Sequence, residues 1–141
     1  MFVQLEHVLG FQPKQLRFYE IALTHRSSSD EISRNNERLE FLGDAMLGAI
    51  VGEFLFRKYP NQDEGFLTEI RSRIVRRESL NAIATRMGIE KIVQYNKYDR
   101  GLSRSHIFGN ALEALIGAIY LECGFEKSTV VVRHLIKETL D

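Results

Sequence analysis

The sequence predicts an all-α protein, a bundle of about seven or more helices forming one domain over residues 1–141. Three observations carry this expectation. Apolar residues recur at spacings of three and four along most of the chain, the period of an amphipathic helix. No alternating strand pattern persists. Glycine, proline and amide-rich stretches fall between the periodic segments rather than inside them.

Taken in order, "FVQLEHVL" reads as a first helix closed by Gly10, a residue suited to a left-handed cap. "PKQLRFYEIALTH" reads as a second, with Pro13 in the first turn, where its missing N–H costs little. "SSSDEISRN" is polar and loop-like, and it ends at Asn35 and Asn36, both good N-caps. A long helix is expected from about Asn36 to Tyr59, stopped by Pro60. "NQDEG" is a turn. "FLTEIRSRIVRRESLNAIATRM" forms one helix or two, ending at Gly88. "IEKIVQY" is short, helical or extended, and "KYDRGLSRS" is a loop. Two final helices are expected near 105–122 and 126–139.

Composition narrows the function. Hydrophobic residues make up 44% and charged residues 27%, the balance of a soluble globular chain. Lys+Arg and Asp+Glu number 19 each, so bulk positive charge is not what would hold a nucleic acid, although a local basic face remains open. Cys123 is the only cysteine, which excludes an intrachain disulfide and makes a reducing, cytoplasmic setting the expectation. "MFVQLEHVLG" lacks the charge and apolar run of a signal peptide. Asp44 and Glu53 interrupt the greasy segment around them, which argues against a membrane span there.

Two segments break the pattern of a greasy helix. In "NERLEFLGDA", residues 36–45, Glu37, Glu40 and Asp44 stand three and four apart and so share a face. In "GNALEALI", residues 109–116, Asn110 and Glu113 do the same, and the face continues to Gly117. A stripe facing water should stay polar along its length. Both of these turn apolar within a turn or two, so they are polar islands on buried helices. Two carboxylates about 4 Å apart repel by roughly 4 kcal/mol at an effective dielectric near 20. A divalent cation removes that cost, and oxygen donors without Cys or His favour Mg²⁺ or Mn²⁺ over zinc. No Glu-x-x-His of the di-iron type follows Glu37, Glu40 or Glu113, and HExxH is absent. Metal-assisted hydrolysis of a phosphate ester is the chemistry left open.

"NERLEFLGDA" closely resembles the signature of the ribonuclease III family, endonucleases that cut double-stranded RNA. "ALTHRS" at 22–27, "DEGFLTEIRSRIV" at 63–75 and "GNALEALIGAIYLECGF" at 109–125 resemble further family segments, in the family's order and over nearly the whole chain. The resemblance implies an all-helical nuclease domain that forms a homodimer, each subunit cutting one strand to leave 5′-phosphate and 3′-hydroxyl ends. It implies Mg²⁺ as cofactor, with Mn²⁺ as substitute, no small-molecule cofactor and no membrane, and a role in ribosomal or messenger RNA precursor processing. By the same resemblance Glu40, Asp44, Asn110 and Glu113 would hold metal, with Asp44 and Glu113 catalytic. Glu37, Glu64 and Arg71 would line an RNA-binding valley. Phe41 would enter a pocket of the partner subunit; without the resemblance it reads as a core aromatic. Family members commonly carry a following RNA-binding domain. The chain stops about where its linker would begin, and weak RNA affinity is expected of this segment alone.

One position departs from the family. Asn110 stands where an aspartate usually ligates the metal. An amide oxygen still ligates Mg²⁺ or holds one of its waters, but without the negative charge. Two readings follow: an active endoribonuclease with weaker metal affinity, or an impaired relative that binds RNA as a dimeric scaffold. From Arg71 to Arg104 nine basic residues stand against three acidic ones, a net positive segment suited to a duplex backbone. His7, His25, His106 and His134 form no catalytic pattern, though His106 falls one turn before Asn110 on the same face.

Overall fold

Two apolar helices lying against each other organise the molecule, seen in a computed structural model that describes residues 2–102 and 104–137. They are α3 (Glu37–Lys58) and α6 (Arg104–Leu135), and theirs is the most extensive helix pair in the fold. Around them pack α1 (Phe2–Leu9), α2 (Leu16–Ala22), α4 (Glu64–Val75) and α5 (Arg77–Met87). A single 3-10 turn, Ile89–Lys91, follows α5. No strand forms among the described residues; one isolated parallel bridge joins Thr24 to Gln94.

Among the described residues there are therefore six α-helices, where about seven or more were expected. The difference lies in α6. Gly124 has φ 79° and ψ 175°, so the two expected final helices run on as one element with a kink between them. Residues 138–141, which include the last two positions of the helix expected near 126–139, lie outside the described residues. The 66–87 segment resolves into two helices because Arg76, with ψ 156°, is extended and serves as both C-cap of α4 and N-cap of α5. Gly10 and Gly88 close their helices at φ 79° and 83°, a backbone region open to glycine at little cost.

Two expected caps work differently. α2 begins three residues after Pro13, and its entry is held by Glu122 of α6. That carboxylate accepts from the backbone N–H of Lys14, from that of Gln15 at 2.6 Å and from the Tyr19 hydroxyl at 2.5 Å. At the start of α3, Asn36 occupies the cap position but its side chain donates to the Ala22 carbonyl at 3.1 Å. Asn35 does the capping instead, accepting from the Glu37 N–H at 3.1 Å. Both amides are buried, and both are hydrogen-bonded, as buried polar groups must be.

The α3–α6 crossing is set by glycine. A Cβ at Gly43 would overlap the backbone carbonyl of Glu113, and one at Gly117 would lie 2.6 Å from the Leu39 carbonyl oxygen. Backbone therefore meets backbone, which brings the polar stripes of both helices to one place. Beyond the crossing the helices bury Met46, Leu47, Ile50 and Val51 from α3 and Leu112, Leu115, Ile116 and Ile119 from α6. By length and composition α6 contains a stretch, His106–Leu135, able to cross a membrane. Since 67% of that apolar window is buried inside the protein, its apolar surface is the core of the bundle.

Candidate active site

At the α3–α6 crossing opens a cavity of about 530 Å³, lined by Glu40 and Asp44 from α3, Asn110 and Glu113 from α6, and Arg77 from the start of α5. All four residues expected to hold metal thus meet in one place. Helix geometry accounts for it: Glu40 and Asp44 are one turn apart, Asn110 and Glu113 are three apart, and the glycine contact turns the two pairs toward each other.

Glu113 is only 8% exposed. Burial, a hydrogen bond with Asp44, and the charges of Asp44 and Glu40 push its carboxyl up to about 8; the Arg77 guanidinium opposes them. Glu40 is raised as well, first by burial and then by Glu37 and Asp44, again against Arg77. Crowded carboxylates whose proton affinity is raised by one another are the donor set that a hard divalent cation relieves. No three Asp, Glu, His or Cys among the described residues already stand as a closed ligand cage. Asn110, as the fourth donor, and solvent would have to complete the coordination. The donor chemistry fits a hard divalent ion. Gly48, to which the α3 stripe was traced, faces open space and plays no part in the crossing.

The remaining expected residues divide. Glu37 is exposed and lines a second cavity, of about 430 Å³, which shares Glu40 and Asn110 with the first. Glu64 and Arg71 are exposed on α4 and line neither cavity. Arg71 reaches over Gly52 of α3. All nine basic residues between Arg71 and Arg104 are exposed, Arg73 being paired with Glu69 at 2.6 Å. Phe41 is 81% exposed, which overturns the core-aromatic reading. The ring stands at the rim of the carboxylate cavity, which it helps to line, rather than in the core. Beside it lies an apolar groove of about 680 Å³, lined by Phe18, Ile21, Ile32, Leu39, Leu42 and Leu121 among others.

Two participants were not legible as such in the sequence. Arg77 counted only as one basic residue among nine, yet it is the cation that faces the carboxylates. Its signal was the Arg76-Arg77 pair at a helix break. His25 had no recognisable partner pattern, yet it is buried beside Glu37 in the second cavity. His106 does approach the site: it lines the second cavity and its Nε2 lies 3.2 Å from the Arg77 guanidinium.

Fold and site define an all-helical domain with an acidic pocket at the crossing of its two central helices. The Ribonuclease-III-like family matches residues 16–140, and the chain belongs to the ribonuclease III family. It is 47% identical over 124 residues to Ribonuclease 3 of Bacteroides thetaiotaomicron, which covers 85% of this chain and 40% of that protein. With Ribonuclease 3 of Azobacteroides pseudotrichonymphae the identity is 48% over 136 residues, 94% of this chain and 51% of the relative. The chain thus spans about half or less of these relatives' length. Among solved structures, the nuclease domain of ribonuclease III from Campylobacter jejuni superposes with a TM-score of 0.90 at 37% identity, covering 99% of this chain and 98% of that one.

Proposed function

We propose that this chain is the catalytic domain of a divalent-metal-dependent endoribonuclease that hydrolyses double-stranded RNA and acts as a homodimer. The observation that carries the proposal is the meeting of Glu40, Asp44, Asn110 and Glu113 in one cavity, with Glu113 buried. Those four residues would hold Mg²⁺, or Mn²⁺ in its place. When bound, such an ion supplies an activated water and charge stabilisation on the scissile phosphate, consistent with 5′-phosphate and 3′-hydroxyl products. Glu113, whose carboxyl is raised by burial and its acidic neighbours, would give up its proton to such an ion, so affinity rises with pH. Arg77 stands where it can neutralise phosphate charge entering the cavity. Exposed basic residues from Arg71 to Arg104 support backbone contact with a duplex. Ribosomal and messenger RNA precursors are the substrates proposed, in the cytoplasm, where the free thiol of Cys123 is at home.

Homodimer formation is supported by Phe41 and the apolar groove beside it. Two copies related by a two-fold axis would each offer the ring and the groove. The C. jejuni nuclease domain is likewise described as having a region involved in dimer formation.

The scaffold reading has one observation in its favour, the lack of a closed three-carboxylate cage, with an amide at position 110. Cleavage of a labelled RNA duplex across a Mg²⁺ and Mn²⁺ titration separates the two. The nuclease cuts, and Glu113→Gln or Asp44→Asn lowers its rate by about a thousandfold or more, as loss of a group acting on the reacting atoms does. An intact dimer that binds RNA and cuts at no metal concentration is the scaffold.

A further inference from the structure

Among the described residues one cation lines the carboxylate cavity, the guanidinium of Arg77. Its place in the chain is unfavourable on local grounds. Arg77 is the first residue of α5, where the helix dipole presents its positive end and a carboxylate would be preferred. No carboxylate among the described residues lies within ion-pair distance of it, so it faces Glu40, Asp44 and Glu113 across the cavity without closing on any of them. What holds it there is His106 of α6, whose Nε2 lies 3.2 Å from Nη1. A guanidinium has only donors to offer, so it donates and Nε2 accepts, which places the ring's proton on Nδ1. The pair joins α5 to α6 at the edge of the site, with Arg77 on the carboxylate cavity and His106 on its neighbour.

Charge says what the arrangement does. Glu40, Asp44 and Glu113 bring three carboxylates to this cavity, and Asn110 brings none. With Arg77 included, the fully ionised lining keeps two negative charges, the complement of a single divalent ion. The guanidinium opposes the rise in proton affinity of both Glu40 and Glu113, so its field reaches both helices of the crossing. A charge that relieves the carboxylates while the cavity holds no metal must also repel a cation that enters it. We propose that Arg77, aimed by His106, is a resident counter-cation: it steadies the carboxylate pocket in the metal-free protein and lowers the pocket's affinity for the ion. His106 is a positioning residue that acts through Arg77. The inference rests on the metal-site reading above.

The test reads metal affinity and stability, and needs neither RNA nor turnover. Calorimetry gives the affinity for Mg²⁺ alone, and urea unfolding is followed in chelator and in saturating Mg²⁺. Arg77→Ala is expected to bind Mg²⁺ about fivefold more tightly than the parent, the scale of one partly screened charge pair. Because the ion binds the folded state, the gain in folding constant on adding Mg²⁺ should be larger in Arg77→Ala by the same factor. Any effect of the substitution on the start of α5 is common to both conditions and drops out of that gain. Arg77→Lys, which keeps a charge, should fall between Arg77→Ala and the parent. His106→Ala should move affinity and gain in the direction of Arg77→Ala, by less. His106→Gln, which keeps an acceptor oxygen, should stay near the parent. Mg²⁺ binding that is unchanged or weaker in Arg77→Ala overturns the counter-cation and leaves the metal site standing. An effect at Arg77 with none at His106→Ala overturns the positioning. Failure of the parent and of both alanine variants to bind Mg²⁺ overturns the metal-site reading, and the inference falls with it.

Discussion

Glu40 and Phe41 are neighbours in the first turns of α3, and each is placed against its own chemistry. The carboxylate is drawn half out of water beside Glu113, while the aromatic ring stands 81% exposed. One turn further on, the same helix follows ordinary rules, burying Met46, Leu47, Ile50 and Val51. Each of the two placements costs stability unless something arrives to complete it: a cation on one side, a second subunit on the other. Residues that break the local pattern without a compensating partner in their own chain mark the working surfaces. Gly43 stands between them and Asp44, and Phe41 borders both the carboxylate cavity and the apolar groove.

The largest effect is therefore expected from filling the crossing. Gly43→Ala forces a methyl group into the Glu113 carbonyl, and neither backbone can yield without separating the helices. It should cost about 3 kcal/mol or more in urea unfolding, as severe overpacking does. Gly48→Ala, on the same helix with open space at its Cβ, is the contrast. It should be neutral or stabilising by up to about 1 kcal/mol through helix propensity. Equal losses at the two glycines would dissolve the account of the crossing.

Phe41→Ala sharpens the other side. An exposed ring contributes little to the subunit's own fold, so unfolding of the monomer should shift by less than about 0.5 kcal/mol. Self-association measured by sedimentation should weaken about 30- to 100-fold, the cost of an aromatic anchor at an interface. Unchanged association would show that the groove and ring serve something else.

The carboxylate side should reveal itself through pH. In metal-free protein Glu113 holds its proton up to about 8, whereas an unfolded chain releases it near the ordinary glutamate value. Below both values the group does not discriminate between the states. As pH rises between them the folded state binds more protons than the unfolded one, so stability falls, and above about 8 the whole penalty is present. Asp44 is exposed and can turn partly toward solvent, which leaves a net loss of about 2 kcal/mol across that interval. Glu113→Gln should flatten this slope in parallel unfolding curves. Saturating Mg²⁺ should do the same for the parent protein. Parallel pH curves for the two proteins without metal would mean that Glu113 is not strained by its neighbours.

How much of this was readable beforehand follows from what each residue answers to. Helix order, the acidic stripes and the basic segment are set by local spacing, and spacing is visible in a sequence. Residues 36–45 even showed that their carboxylates could not all face water. What spacing does not show is which glycine forms the contact: Gly43, Gly48 and Gly117 look alike until the helices are packed. The same holds for Asn36, a good cap by type, whose amide is claimed by Ala22 from another segment. Arg77 and His25 reach their sites through contacts 30 or more residues away from Asn110 or Glu113 in the chain, beyond any local pattern.

Asn110 is where the two sides of the comparison separate most finely. Replacing it with Asp adds a fourth carboxylate to the cavity of Glu40, Asp44 and Glu113. Without metal the added charge should deepen the repulsion, lowering stability at pH 8 by about 1 kcal/mol. With metal the same charge is a ligand, and Mg²⁺ affinity should rise about tenfold, with faster cutting at limiting metal. The self-association proposed for Phe41 should not respond. The opposite signs are the diagnostic part, because a residue outside the coordination sphere would show the loss without the gain. Calorimetric Mg²⁺ titration beside chelator-treated unfolding reads both. An affinity that does not change would remove position 110 from the metal site, leaving Glu40, Asp44 and Glu113 to hold the ion.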